Sequence, residues 1–283
     1  MKIIECPRDA MQGLKEFIPT EKKIEYINQL LKVGFDTIDF GSFVSPRAIP
    51  QMADTAKVLN GLNLDSNYKL LAIVTNLRGA TDASEFEEIN YFGFPFSISE
   101  TFQKRNTNST IEESLDHVKA IQEICQKHDK SLVVYISMAF GNPYEDVWDV
   151  GVVEKWTEIL HKECGVEILA LSDTIGVSNR ENIDYLFSNL IPKFENVEFG
   201  AHLHTTPTTW QEKVDAAYKA GCRRFDGAIK GFGGCPMAKD DLTGNMPTEN
   251  MISFFNSNDI ELGLNSIEFN RSMMLAKEVF PIH

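Results

Sequence analysis

Short apolar runs alternate with longer amphipathic segments along the whole chain, and this alternation constrains the fold more than any other feature. The run from Lys2 to Glu5 precedes Thr20 to Val33, where isoleucine and leucine recur at helical spacing. We predict a β-strand followed by an α-helix here, and the same unit repeats. The eight predicted strands are Lys2–Glu5, Thr37–Phe40, Lys69–Ile73, Tyr91–Phe94, Leu132–Ser137, Glu167–Leu171, Val197–Ala201 and Arg224–Ala228.

Helical patterns fill the intervals between these strands, and several strands are almost continuously hydrophobic, as parallel strands covered on both faces are. Besides Thr20–Val33, the predicted helices are Ile49–Leu59, Ile111–Lys127, Val152–Glu163, Arg180–Ile191 and Gln211–Ala220. Eight such units predict an α/β protein with a closed (β/α)₈ TIM barrel. No linker interrupts residues 1–283, which indicates one domain, and no GxGxxG motif follows the first strand, which disfavours a dinucleotide-binding sheet.

Composition excludes several classes of protein. The chain has 41 acidic residues against 27 lysines and arginines, a formal charge of −14, which disfavours nucleic acid and anionic membranes as partners. It contains no apolar run of the roughly 20 residues needed to span a bilayer. The five cysteines include no CxxC pair, so neither a disulfide framework nor a structural zinc site is indicated. Without a secretory leader, we expect a cytoplasmic location.

Polar residues follow the predicted strands where a TIM barrel carries its reacting groups, at the carboxyl ends. They are Arg8 and Asp9 after the first strand, Asp39 on the second, Asp173 after the sixth, His202 and His204 after the seventh, and a glycine-rich segment ending at Cys235 after the eighth.

The His202-Leu203-His204 sequence is the strongest sign of a metal site. Side chains alternate along a strand, so the two imidazoles face the same side and point into the barrel mouth. Asp9 arrives from the first strand, two places away in a closed barrel. Nitrogen and carboxylate ligands suit Mg²⁺ or Mn²⁺, with Zn²⁺ as an alternative. An isolated pair of this kind also occurs as ordinary core or rim histidines, but its position at a strand end favours the metal.

Arg8 and Cys235 have chemical interpretations as well as structural ones. A guanidinium beside a metal ligand suits a substrate oxyanion, although Arg8 is alternatively a structural partner of Asp39 or Asp173. Those two acids alternatively cap helices. The glycines before Cys235 allow a loop that closes over substrate; the alternative is a turn with an incidental thiol.

Seven motifs together closely resemble the 3-hydroxy-3-methylglutaryl-CoA lyase family, within the metal-dependent lyase and acyl-transferase barrels. They cover nearly the whole chain in order. They are ECPRDAMQ from Glu5, SFVSPRAIPQMAD from Ser42, SETFQKRNTNSTIEES from Ser99, GNPYED from Gly141, SDTIGV from Ser172, HLH from His202 and GFGGCPMAKDDLTGN from Gly231.

The resemblance implies a TIM barrel that cleaves the acyl-CoA to acetyl-CoA and acetoacetate, a step of leucine and ketone-body metabolism. It implies a divalent metal bound by Asp9, His202, His204 and Asn245. It also implies that Arg8 stabilises an enolate and that Cys235 and Asp173 transfer protons. Asp39 stands at the position of a family glutamate, and Ser42 and Lys15 match positions associated with the substrate or its CoA portion.

Some positions depart from the family pattern. Residues 10–14 read Ala-Met-Gln-Gly-Leu where the family usually has Gly-Leu-Gln-Asn-Glu, and Thr205 stands where an aspartate follows the second histidine. Ala170 replaces a common serine, and Asp39 is one methylene short. None of these removes an implied ligand or the cysteine. Metal-dependent cleavage is therefore retained, with a related 3-hydroxyacyl-CoA as an alternative substrate.

The implied reaction breaks the C2–C3 bond of a tertiary 3-hydroxyacyl thioester. The hydroxyl loses its proton, for which a carboxylate such as Asp173 is a candidate acceptor, and an enolate departs that Arg8 and the metal stabilise. A thiol at Cys235 then supplies the proton that the enolate needs.

Two other functions remain as alternatives. An acetyl-CoA-dependent synthase of the same superfamily is disfavoured because those enzymes commonly carry a long C-terminal extension. A non-catalytic barrel that binds metal or acyl-CoA is the other. The sequence leaves a homodimer open as the assembly.

Overall fold

Eight parallel strands form the centre of the computed structural model, which describes residues 1–65, 67–234 and 243–280. Each strand pairs with the next in sequence, and β8 pairs with β1, so the sheet closes on itself. The predicted (β/α)₈ barrel is therefore confirmed. The strands are β1 Lys2–Glu5, β2 Thr37–Ser42, β3 Leu70–Ile73, β4 Ile89–Ser97, β5 Ser131–Ser137, β6 Ile168–Asp173, β7 Glu198–Thr205 and β8 Arg224–Gly227.

Helices surround the barrel, and a two-residue strand, β9 (Gly244–Asn245), pairs antiparallel with β7. Five of these helices were not predicted: Pro7–Gln12, Leu77–Ser84, Glu100–Thr107, Thr248–Ser257 and Ser266–Val279. The helices are α1 Pro7–Gln12, α2 Thr20–Leu31, α3 Thr55–Asn60, α4 Leu77–Ser84, α5 Glu100–Thr107, α6 Ile111–Lys127, α7 Val150–Lys162, α8 Arg180–Lys193, α9 Trp210–Lys219, α10 Thr248–Ser257 and α11 Ser266–Val279.

The prediction of one helix over Ile49–Leu59 was wrong. A 3₁₀ turn covers Pro50–Met52, and α3 begins only at Thr55. Asp54 stands between them at the N-cap position of α3. Its carboxylate accepts hydrogen bonds from Thr20 and Lys23 of α2, each at 2.8 Å. The backbone of Asp54 has φ −103° and ψ 12°, outside helical geometry, so the segment is divided at this residue.

Two hydrophobic clusters follow from the alternation of side chains along the strands. The larger fills the space between strands and helices, and the smaller lies inside the barrel around Leu71, Val133, Tyr135 and Ala170. Burying a Phe, Leu or Ile side chain fully contributes about 1.5–3 kcal/mol, so the outer cluster stabilises the barrel. Inside the barrel, polar side chains lie towards the carboxyl ends of the strands.

Within the described residues, no helix is both long and apolar enough to cross a membrane.

Candidate active site

A cavity of about 490 Å³ opens at the carboxyl ends of the strands. Its lining includes Arg8, Asp9, Ser42, His202 and His204, so the structure brings five of the predicted site residues together. A second groove of about 710 Å³ lies around Arg180 and Trp210, and none of the predicted site residues lines it. The first cavity is therefore the candidate active site.

Asp9, His202 and His204 converge at the base of this cavity, with one ligand atom from each within 4.8 Å of the others. β7 extends further than predicted, through Thr205, so both histidines lie on the strand itself. Asp9 follows β1, as predicted, but on a short helix that was not predicted. The strand stops at Glu5, and Asp9 lies on α1, which Pro7 begins.

Hydrogen bonds fix which nitrogen of each histidine is available to a metal. The Nδ1 atom of His204 lies 2.8 Å from the carbonyl oxygen of Thr174. A carbonyl oxygen can only accept a hydrogen bond. His204 therefore carries its proton on Nδ1. Its Nε2 is buried and has no hydrogen-bond partner among the described residues. Burial and the neighbouring His202 also lower the pKa of His204, which favours the neutral form that binds metal.

Asp226 orients His202, and the sequence analysis did not identify it. Its Oδ2 lies 3.1 Å from Nδ1 of His202, leaving Nε2 for the cavity. Burial opposes protonation of His202, but the hydrogen bond to Asp226 and the charges of Asp226 and Asp9 outweigh it and raise the pKa. The sequence did carry a signal. Arg224 and Asp226 lie two residues apart on a predicted strand, so these two charged side chains share one face of it.

Cys6, His202 and Asp226 form a second group whose ligand atoms lie within 4.8 Å of one another. Burial, together with the negative charges of Asp226, Asp39 and Asp9, raises the pKa of the Cys6 thiol. A thiol that holds its proton is a poor metal ligand. We therefore interpret the His202–Asp226 contact as a hydrogen bond that supports the first group.

The carboxylate of Asp9 is held by donors on both oxygens. Oδ1 accepts from Arg8 Nη1 at 3.0 Å and from Gln12 Nε2 at 2.6 Å, and Oδ2 accepts from Asn245 Nδ2 at 2.7 Å. Burial alone would raise the pKa of Asp9, but Arg8, both histidines and Asn245 lower it below its ordinary value. Asp9 is therefore a carboxylate anion held in a fixed orientation.

Asn245 lies opposite His204 in the pairing of β9 with β7. Its side-chain Nδ2 donates to Asp9 and also to the carbonyl oxygen of Phe232 at 2.8 Å. With the nitrogen occupied, the amide oxygen is the atom left for a cation. Two nitrogens and two kinds of oxygen donor fit a divalent metal such as Mg²⁺ or Mn²⁺. The ligand set itself remains a prediction.

Arg8 makes a forked ion pair with Asp39. Its Nε lies 3.0 Å and its Nη2 2.5 Å from Oδ2 of that carboxylate. Burial would lower the pKa of Arg8, but Asp39 and Asp9 raise it, so the guanidinium stays charged. Burial raises the pKa of Asp39 to about 6 even though Arg8 opposes the shift. Asp39 orients Arg8, while the catalytic roles of both residues stay predictions.

Asp173 is buried but does not line the cavity. On β6, Ala170 belongs to the cluster inside the barrel and Ser172 lines the cavity, so Asp173 has the opposite parity and points outward. Its carboxylate accepts hydrogen bonds from Ser178 and, at 2.6 Å, from Lys213. The structure thus does not bring this predicted proton acceptor to the metal ligands, and its catalytic role remains a prediction.

Three further predicted residues have different outcomes. Ser42 lines the cavity, and its buried Oγ lacks a partner in the part of the chain that the structure describes, so it can bond to substrate. Lys15 is exposed and is not one of the described residues that line the cavity. Cys235 lies outside the described residues.

Gly233 and Gly234, which precede Cys235, lie close to the predicted metal ligands. Gly233 has φ +87°, and a Cβ there would lie 2.8 Å from both Asn245 Nδ2 and the main-chain oxygen of Asp9. Gly234 lines the cavity. Glycine is required at 233 by backbone conformation and by this close approach.

Comparisons with known proteins identify the family of the chain. The HMGL-like family model matches residues 2–275. The hydroxymethylglutaryl-CoA lyase YngG of Bacillus subtilis is 34% identical over 255 residues, which are 90% of this chain and 84% of that protein.

Solved structures give the same result. The crystal structure of the Bacillus subtilis HMG-CoA lyase has a TM-score of 0.92 and 32% identity, covering 98% of this chain and 92% of the other. An HMG-CoA lyase from Acinetobacter baumannii, in complex with coenzyme A and 3-methylmalate, has a TM-score of 0.90 and 29% identity, with 99% and 90% covered. The chain belongs to the HMGL-like family.

Proposed function

We propose that this protein is a divalent-metal-dependent lyase that cleaves 3-hydroxy-3-methylglutaryl-CoA to acetyl-CoA and acetoacetate, with residues 1–283 acting as one catalytic domain. The observation that carries the proposal is the convergence of Asp9, His202 and His204 at the base of a cavity that opens at the carboxyl ends of the strands. The similarity to lyases of this name over most of the chain supports it.

Asp9, His202, His204 and Asn245 would hold Mg²⁺ or Mn²⁺. When bound, such an ion acidifies a substrate hydroxyl and stabilises negative charge on a carbonyl oxygen. The protein fixes the ligands beforehand, since Thr174 and Asp226 set the tautomers of the histidines. Little rearrangement is then needed when substrate arrives.

Arg8 would stabilise the charge that develops as the C2–C3 bond breaks. The hydroxyl proton passes to solvent water in the cavity, the electron pair of the C2–C3 bond moves to the thioester side and leaves an enolate, and the hydroxyl carbon becomes the ketone of acetoacetate. Arg8 lines the cavity and is held by Asp39, so it faces this charge without reorienting. Removing one such donor costs about 2.7–4 kcal/mol in enzymes where it has been measured.

The enolate must gain a proton on carbon to become acetyl-CoA. We assign this donor role to Cys235, because Gly233 and Gly234 bring the preceding chain against Asp9, Asn245 and the cavity. Ser42 would donate a hydrogen bond from its hydroxyl group to a substrate oxygen. The CoA portion of the bound substrate would extend out of the cavity past Arg105 and Asn106, whose side chains can donate hydrogen bonds to phosphate.

Product analysis tests the proposal. With 3-hydroxy-3-methylglutaryl-CoA and Mn²⁺, the protein should release acetyl-CoA and acetoacetate in equal amounts. Release of free CoA from acetyl-CoA and a 2-keto acid would instead identify a synthase. Binding of acyl-CoA without turnover would indicate a non-catalytic barrel, and either result would contradict the proposal.

A further inference from the structure

We propose that Lys213 is a positioning residue of the metal centre, which fixes the main chain and the ring of His204 from outside the barrel. The proposal rests on the proposed function, because it assumes that His204 is a metal ligand. Lys213 lies on α9 and is buried, although a lysine on a surface helix is ordinarily exposed.

The ammonium group of Lys213 makes three hydrogen bonds that meet behind β7. It donates to Asp173 Oδ2 at 2.6 Å, to the carbonyl oxygen of His204 at 2.8 Å and to that of Gly176 at 3.1 Å. All three donor protons of the ammonium group are thereby used. One side chain thus ties the end of β6 and the turn after it to the main chain of a metal ligand.

The same turn holds the imidazole ring of His204. Asp173 anchors it by accepting from the main chain and hydroxyl of Ser178, and within it the carbonyl oxygen of Thr174 accepts the Nδ1 proton of His204. Lys213 therefore acts on His204 twice: directly at the carbonyl oxygen, and through Asp173 and Thr174 at the ring.

A buried ion pair is weak evidence for a role in stability alone, because apolar residues in its place are often no worse. The distinguishing feature here is the bond to His204. Asp173 is one member of this pair and does not line the cavity, so its proposed role requires no proton transfer. On this account Asp173, like Lys213, acts through His204.

Lys213→Met tests the proposal because it keeps the length of the side chain and removes the charge and all three hydrogen bonds. It leaves Asp173 buried without its partner, so Asp173→Asn/Lys213→Met is made as well to keep a folded, charge-balanced protein. Lys219→Met is the matched control, since Lys219 makes an exposed ion pair on the same helix. Folding is checked by circular dichroism, and Mn²⁺ binding to the full chain by titration calorimetry.

We expect the dissociation constant for Mn²⁺ to rise about 10–100-fold in Lys213→Met, in Asp173→Asn and in the double variant, as for other groups that orient metal ligands. Turnover should recover towards that of the wild type at saturating Mn²⁺. Lys219→Met should bind Mn²⁺ like the wild type.

Two results would overturn the proposal. One is a Mn²⁺ dissociation constant within twofold of the wild type in the folded double variant. The other is an Asp173→Asn protein that binds Mn²⁺ normally but loses turnover even when saturated, which would make Asp173 a proton acceptor. Absence of cleavage by the wild type would count against the proposed function only, because metal binding is the readout here.

Discussion

The carboxylate of Asp226 lies 3.1 Å from Nδ1 of His202 and thereby turns the other ring nitrogen towards Asp9 and the cavity. Asp226 is almost fully buried, and its second oxygen lacks a hydrogen-bond partner among the described residues. The hydrogen bond that its carboxylate makes in the described chain is thus directed at a predicted metal ligand. Asp226 therefore supports a predicted ligand of the proposed metal site without being one of the predicted ligands itself.

Replacing Asp226 with alanine should weaken Mn²⁺ binding about 10–100-fold, because His202 loses the partner that fixes its tautomer and ring orientation. Calorimetric titration of Mn²⁺ measures the change. Asp215→Asn is the control, since Asp215 makes surface ion pairs with Arg180 and Lys219. Equal Mn²⁺ affinity in wild type and Asp226→Ala would show that the contact does not support the metal site.

Gly233→Ala should reduce Mn²⁺ affinity at least tenfold. The added methyl group would lie 2.8 Å from Asn245 Nδ2 and from the main chain of Asp9, which displaces both predicted ligands. Gly263→Ala is a close control, because Gly263 also has positive φ, +69°, but open space around the new Cβ. It should lose about 1–2 kcal/mol of stability and no metal affinity. If both variants bind Mn²⁺ equally well, the packing of Gly233 on the ligands is unimportant.

Cys235 should react fastest with iodoacetamide, and substrate should protect it. The four described cysteines are buried. Burial raises the pKa of Cys125 and Cys222 to about 12 and of Cys164 to about 11, and it also raises the pKa of Cys6. Those four thiols therefore form little reactive thiolate near neutral pH. Peptide mapping after partial alkylation identifies the modified residue.

Cys235→Ser should keep Mn²⁺ affinity and lose most turnover, because a hydroxyl is a much weaker acid than a thiol. Normal turnover in this variant would remove Cys235 from the mechanism. Faster alkylation of Cys222 without loss of activity would contradict the predicted reactivity.

Glu5 should make stability fall as pH rises. Burial raises its pKa to about 8, even though hydrogen bonds from Thr248 and the main chain of Ile229 oppose the shift. The folded protein thus binds this proton more tightly than the unfolded chain, so stability is greatest below the unfolded pKa near 4.5 and is lost up to about pH 8.

Glu5→Gln should remove this dependence, which reaches at most about 1.4 kcal/mol per pH unit. Urea unfolding of both proteins from pH 5 to pH 8 measures it, with the exposed Glu181→Gln on α8 as control. Parallel curves for wild type and Glu5→Gln would show that Glu5 does not titrate in this range.

Much of the barrel was predictable because several of the buried parallel strands are almost continuous apolar runs. The alternation of side chains along β7 predicted that His202 and His204 point to the same side of the strand. The outward direction of Asp173 also follows from parity, but only once β6 is known to continue to Asp173, beyond the predicted end at Leu171. The short helix α1 and the polar helix α5 have too few apolar residues to show a helical period.

Contacts between distant segments were beyond sequence reasoning. Lys213 reads as an exposed residue of an amphipathic helix, and only the packing of α9 behind β7 shows it bonded to Asp173 and His204. Asp226 was predictable in direction but not in partner, because the register between β7 and β8 decides which side chain it meets.

Restoring metal to chelator-treated protein tests the central claim most directly. Acetoacetate released from 3-hydroxy-3-methylglutaryl-CoA is measured as Mn²⁺ or Mg²⁺ is added to wild type and to His202→Ala. We predict no release from metal-free wild type, recovery as the ion is added, and weak recovery in the variant because it lacks a ligand. Full release of acetoacetate by the metal-free protein would contradict the account.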